Sequence, residues 1–218
     1  MLKHFKKILI IVIVGIIPLS NIAQSTFSLE ILTIGVHPFG NPNLPLYENA
    51  LDAKGNLSAE PGLTFSYETF VRDNWLSFQF STSIFSDAAG QMAGFTDITF
   101  RMLFFHKWRS SFYIGAGPGL NYRNSWTRLT YGDITYSPEA NYYVDGNWEI
   151  LPTVIGKLEY DVFLGRKSDL SFGVYYGHSF KTFTLGLGYR YWISTKVKHT
   201  KPCHCGTDKY KKRFLGIF

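Results

Sequence analysis

Hydrophobic and polar residues alternate with period two over most of the chain, which predicts β-strands with one apolar and one polar face. Eight segments carry the pattern. Thr26 to His37 is the first, and in the second, Gly62 to Val71, Leu63, Phe65, Tyr67, Thr69 and Val71 oppose Thr64, Ser66 and Glu68. After the tight turn Arg72-Asp73-Asn74, the segment Trp75 to Phe85 sets Leu76, Phe78, Phe80, Thr82 and Ile84 against Ser77, Gln79, Ser81 and Ser83. Gly94 to Phe105 places Ile98, Phe100, Met102 and Phe104 opposite Asp97, Thr99 and Arg101, and the link His106-Lys107-Trp108-Arg109 leads into Ser111 to Tyr122. Glu149 to Phe163 divides Val154, Leu158, Tyr160 and Val162 from Lys157, Glu159 and Asp161. Beyond the turn Gly165-Arg166-Lys167-Ser168 come Asp169 to His178 and Lys181 to Ile193. The last of these alternates Phe183, Leu185, Leu187, Tyr189, Tyr191 and Ile193 with Thr184, Gly186, Gly188, Arg190 and Trp192.

An even number of strands puts both chain ends on one side. Links after the second, fourth and sixth strands are short, Pro38 to Pro61 and Arg123 to Trp148 are long, and Ser86 to Ala93 is intermediate; only the link near Ser179-Phe180 is unexpectedly short. Short turns on one side and long loops on the other are what outer-membrane barrels display, with the turns periplasmic. The alternation alone also fits a soluble lipocalin-like barrel with its apolar face inward. Two features favour the membrane version. Gly115, Gly117, Gly119, Gly173, Gly177, Gly186 and Gly188 share the polar face, where they leave room inside a narrow barrel. Trp75, Trp108, Tyr122, Trp126, Trp148, Tyr189, Tyr191 and Trp192 lie near strand ends, where interfacial girdles are expected.

A third feature is Thr184-x-Gly186-x-x-Tyr189-x-Tyr191 in the last strand. It resembles the β-signal by which the barrel-assembly machinery recognises the final strand of outer-membrane proteins. Over about residues 26 to 193 the chain resembles the small eight-stranded outer-membrane barrel family of OmpA, OmpX and OmpW type. The resemblance implies an all-β, up-and-down, eight-stranded antiparallel transmembrane barrel in a Gram-negative cell envelope, with outer-membrane lipid, lipopolysaccharide and the assembly machinery as partners. The chain departs from the family in the 25 residues that follow the motif, and Phe218 is itself a terminal aromatic that would suit a rival register.

The ends carry the charge. Residues 1–23 read as a signal peptide: Lys3, Lys6 and Lys7, then an apolar run from Ile8 to Leu19, then Ser20-Asn21-Ile22-Ala23, with cleavage expected after Ala23 or two residues later. This signal holds +3 of the net +6. The tail, 194–218, holds +6, so residues 24–193, with 12 basic against 15 acidic side chains, are at −3. A nucleic-acid partner inferred from the overall positive charge is therefore excluded as a reading of the barrel. The mature chain suits one domain with a basic periplasmic tail.

The polar face supplies Glu68, Gln79, Asp97, Arg101, Lys157, Glu159, Asp161 and Arg190, charges of both signs that must pair inside so narrow a barrel. They read either as a satisfied polar plug or as a gated ion path. For a lipid-modifying enzyme the available pair is His178-Ser179, whose side chains point to opposite faces of a regular strand, with His37 near an outer rim and His106 in a turn. No triad follows, and no cofactor is expected. Gly115-Ala116-Gly117-Pro118-Gly119 lacks the helix and the Lys-Ser/Thr of a phosphate loop. Cys203, His204 and Cys205, with His199 nearby, are soft metal ligands too few for a structural zinc site, and they equally suit incidental or oxidised tail cysteines. The tail itself turns from basic to apolar at Phe214, as a segment lying on a membrane surface or contacting the cell wall would, or a merely solvated terminus. Trp126, Tyr131, Tyr136, Tyr142 and Tyr143 mix with small polar residues in the longest loop. They are the preferred contact surface for a partner, against the alternative that they pack on the rim.

Overall fold

A computed structural model describes residues 24–39, 43–72, 75–131, 134–136, 143–145, 147–165, 167–177 and 181–193. The expected signal and tail lie outside these residues. Eight strands form the wall: β1 (Ser25–Val36), β2 (Leu57–Arg72), β3 (Leu76–Ser86), β4 (Met92–Lys107), β5 (Ser110–Asn124), β6 (Trp148–Gly165), β7 (Ser168–Gly177) and β8 (Thr182–Trp192). Each pairs antiparallel with its neighbour in sequence. β8 then returns to β1, with Thr26 opposite Trp192 and Val36 opposite Phe183, so the sheet closes without an edge. Closure is what lets a sheet dispense with water as a partner for its backbone. Among the described residues no helix is long and apolar enough to cross a membrane.

The period-two faces emerge as the sequence pattern requires, and they are inverted relative to a water-soluble barrel. Phe27, Ile31, Phe65, Phe80, Phe100 and Leu158 stand exposed on the outer wall, while Ser28, Thr64, Ser81, Thr99, Glu159 and Arg190 are buried inside. The lipocalin-like alternative fails on this point. Side chains that water would solvate fill the interior, and a band of aromatic and branched apolar side chains faces outward, as a lipid-facing wall demands.

The main departure from expectation is at β2, which begins at Leu57 rather than Gly62. Leu57-Ser58-Ala59-Glu60-Pro61 continues the alternation, with Ser58 and Glu60 on the inward face, but Pro61 and Gly62 read as a strand boundary; the end of β1 pairs with it nonetheless, Gly35 with Ser58 and Val36 with Leu57. The first loop is accordingly residues 37–56. A register shift between Leu32 and Ile34 accompanies this pairing on both sides of β1. Below it the even-numbered residues Thr26, Ser28, Glu30 and Leu32 point inward; above it Gly35 does. A bulge re-aims whatever follows. Here it turns His37 from the lipid-facing face into the lumen.

Candidate functional site

The lumen is built in layers. On the short-turn side, Phe70 stacks on Trp192 with ring centroids 5.1 Å apart, and Tyr113 and Leu103 complete an apolar layer. Trp192, expected at an interfacial girdle as well as on the inward face, is wholly interior and donates its indole N–H to Asp169 Oδ2 at 2.7 Å. Above it lies an ionic layer drawn from four strands. Arg101 of β4 pairs with Glu68 of β2 and, at 2.9 Å, with Glu159 of β6; Arg190 of β8 pairs with Glu159 and Asp161. Thr26 and Ser77 donate to Glu68, and Ser171 donates to Glu159 at 3.0 Å. The Arg101 guanidinium also sits 4.4 Å from the Tyr113 ring centroid. Buried charges persist only with such pairing, because an uncompensated ion in a low-dielectric interior costs several kcal/mol, of order 3–5 when one partner is removed.

One step further from the turns, Lys157 reaches Asp97 at 2.9 Å and Gln79 at 3.0 Å. Glu30, buried and accepting from the Tyr175 hydroxyl, occupies the space left by Gly188, where a Cβ would meet Glu30 carbons and stand 2.8 Å from the Leu29 carbonyl oxygen. The inward glycines of the last strand thus admit a carboxylate. Leu32, Phe95, Ile155 and Tyr175, with Phe85 against them, then form a second apolar layer. Glu68, Asp97, Arg101, Lys157, Glu159, Asp161 and Arg190 are therefore brought together between two apolar layers. Tyr113, Tyr175 and Phe95 are interior residues that the sequence reading did not name.

Above the second layer the loops are tied down. Trp126, only 4% exposed, donates its indole N–H to Asp87 Oδ2 at 2.7 Å, packs edge-on against Tyr47 of the first loop at 6.0 Å, and meets Tyr136 at 5.7 Å. Arg123 lies 4.2 Å over the Trp126 ring, donates to Glu149 at 2.8 Å and to the Tyr136 hydroxyl at 2.6 Å. Asp87 Oδ1 in turn accepts from the backbone N–H of Ala89 and Gln91. Burial raises the Asp87 carboxyl from 3.8 to about 6, against the lowering effect of its hydrogen bonds. Trp126 and Tyr136 are thus packed on the rim. Tyr143, at 67%, is exposed beside Val144, on the short strand Tyr143–Asp145 that pairs back onto β6. Tyr131 belongs to a short ladder with Ile134, and Tyr142 lies outside the described residues.

Between plug and rim is an arrangement the sequence reading missed. His37 Nε2 lies 3.0 Å from Ser58 Oγ and 3.2 Å from Glu60 Oε1, Ser58 donates to Glu60 at 3.0 Å, and His37 Nδ1 lies 3.1 Å from Thr182 Oγ1. Only the bulge in β1 and the early start of β2 assemble it; the bulge breaks the period-two pattern of β1, and Pro61-Gly62 masks the continuation of β2's pattern into Glu60 and Ser58. The three residue types are those of a hydrolytic triad, but acid and hydroxyl share one imidazole nitrogen, so no acid orients the ring from the far side. Ser58 and Glu60 are also buried inside the wall, away from lipid. The pair His178-Ser179 falls outside the described residues.

In β8, Thr184 and Gly186 face inward while Tyr189 and Tyr191 are exposed on the outer wall. Cys203, His204 and Cys205 lie outside the described residues, among which no group of three His, Cys, Asp or Glu side chains is placed to hold a metal ion.

No protein-family model matches the sequence, and no curated protein matches it. Among solved structures, the chain is similar to the N-terminal β-barrel domain of OprF from Pseudomonas aeruginosa, at 12% identity and TM-score 0.46, covering 78% of this chain and 99% of that one. It is similar to the attachment invasion locus protein Ail of Yersinia pestis, solved with the heparin analogue sucrose octasulfate, at 14% identity and TM-score 0.42, covering 78% and 99%. Neisserial surface protein A is similar at 11% identity and TM-score 0.47, covering 77% and 96%.

Proposed function

We propose that the protein is a non-enzymatic outer-membrane barrel that acts in envelope integrity or surface binding through its long loops, with the lumen serving as a structural plug. The observation that carries this reading is the filled interior: the Arg101 and Arg190 ion pairs are buried between the Phe70–Trp192 layer and the Leu32–Phe95–Ile155 layer. An eight-stranded barrel leaves space only for its own side chains, and here those side chains are paired with one another. What remains for a partner is the outer end, where Trp126 fixes the loops and Phe39, Leu51, Tyr143 and Val144 stand exposed. Apolar side chains presented from a rigid base suit adhesion or binding to another envelope component.

Planar-bilayer recording of the refolded full chain tests the reading. A correctly folded, heat-modifiable barrel that stays electrically silent is expected. Steady unitary conductance that changes selectivity on substituting Lys157 or Asp97 would instead make the lumen a narrow channel.

A further inference from the structure

The two ends of the barrel differ in charge. The three short turns carry Arg72, Lys107, Arg109, Arg166 and Lys167 against Asp73 alone, whereas residues 37–56, 87–91, 125–147 and 178–181 together hold six acidic side chains against three basic ones. The turn between β4 and β5 concentrates this basic character. Trp108 adopts a left-handed backbone conformation, φ 54°, and the residue is 72% exposed. A non-glycine residue in that region is strained and is worth a functional explanation. Arg109 places its guanidinium 5.7 Å from the Trp108 ring centroid, and Lys107 precedes both. Immediately above on the outer wall, Phe105 stacks on Phe112 at 5.6 Å, with Phe104 against both. At the β6–β7 turn, Lys167 Nζ lies 5.9 Å from the ring centroid of Tyr191, which is itself exposed on the wall.

An aromatic patch that meets acyl chains, bordered by an amphipathic indole and then by cations, has the order of parts of one phospholipid read from tail to phosphate. We propose that Lys107, Trp108 and Arg109 form a binding site for the headgroup of an anionic phospholipid in the leaflet that the short turns face. A polysaccharide or peptide would satisfy the cations but leave the Phe104–Phe105–Phe112 patch unused. A zwitterionic lipid would satisfy the patch but leave the cations without a net partner charge. The proposal rests on the membrane-spanning reading and is independent of what the outer loops bind.

The test uses the full chain refolded in nanodiscs of phosphatidylethanolamine containing a minor share of phosphatidylglycerol, with retained lipids counted by native mass spectrometry. Wild type is expected to retain phosphatidylglycerol above its share. The enrichment should fall roughly fivefold for each charge removed in Lys107→Gln and Arg109→Gln. Arg109→Lys, which keeps the charge, should preserve it. Heat-modifiable mobility certifies that each variant is folded, and failure of wild type to enter the bilayer would count against the membrane reading itself. The site is overturned if folded wild type retains the two lipids in proportion to supply. It is equally overturned if enrichment survives the turn substitutions and disappears only when tail residues Lys196, Lys198 and Lys201 are changed to Gln.

Discussion

Removing the Arg101 side chain would leave Glu68, Glu159 and Asp161, three buried carboxylates, to the single guanidinium of Arg190, since Arg101 is fully buried and paired with both glutamates. Arg101→Met is therefore expected to destabilise the barrel by about 3–5 kcal/mol. Urea unfolding in lipid vesicles would show this as a lowered midpoint with an unchanged slope, and an unshifted midpoint would mean that the network is not held as described. The positions of these charges were legible in the sequence because period two puts Glu68, Asp97, Arg101, Lys157, Glu159 and Arg190 on the polar face. Tyr113, Tyr175 and Phe95 share that face but not its polarity. Their parity marks them as inward, Tyr113 two residues before Gly115, Tyr175 between Gly173 and Gly177 and Phe95 two before Asp97; what the sequence does not carry is their partners across the barrel, Arg101 over Tyr113 and Glu30 beside Tyr175.

At the scale of elements, the third outer loop is joined to the short loop after β3 through the Asp87 carboxyl group, which links the Trp126 indole to its own turn, and the first loop joins through Asn49, which donates to the Asp87 carbonyl at 3.0 Å. Because burial raises the Asp87 carboxyl to about 6 from 3.8, the folded protein holds a proton there that the unfolded chain has released between those values. Its contribution to stability is complete below pH 3.8 and is lost as pH rises through about 6, a change of about 3 kcal/mol over the window. The loops should accordingly become more susceptible to protease between pH 4 and 7 in wild type, while Asp87→Asn, which stays neutral, should show a flat profile over that range. A variant with the same slope as wild type would place the titration elsewhere. Such contacts between loops were beyond the sequence, as was the cluster of His37, Ser58 and Glu60. A bulge is a one-residue event, and the alternation of Leu57 to Pro61 is hidden behind Pro61 and Gly62, residues that read as a strand boundary. The eight strands were legible because each carries several repeats of the same signal.

For the molecule as a whole, the decisive physical statement is the sign of its surface. The two ends of the chain hold +9 against −3 between them, and the wall presents Phe78, Phe80, Ile98 and Phe100 outward from the middle of β3 and β4. In water, replacing an exposed phenylalanine by arginine would leave stability nearly unchanged and improve solubility, since the side chain loses little packing and gains hydration. In a bilayer the same exchange forces a cation towards the hydrocarbon midplane at a cost of about 2–4 kcal/mol, decreasing toward the interfaces. Phe100 sits near the centre of β4, opposite Phe78 and Ala116 on the neighbouring strands. Phe100→Arg is thus expected to lower the unfolding free energy in vesicles by that amount, whereas arginine in place of the rim residue Trp108 should cost at most about 1 kcal/mol. Equal effects at the two positions would mean that the apolar band does not face lipid, and the protein would then have to be sought in the soluble periplasm rather than in the heat-modifiable outer-membrane fraction.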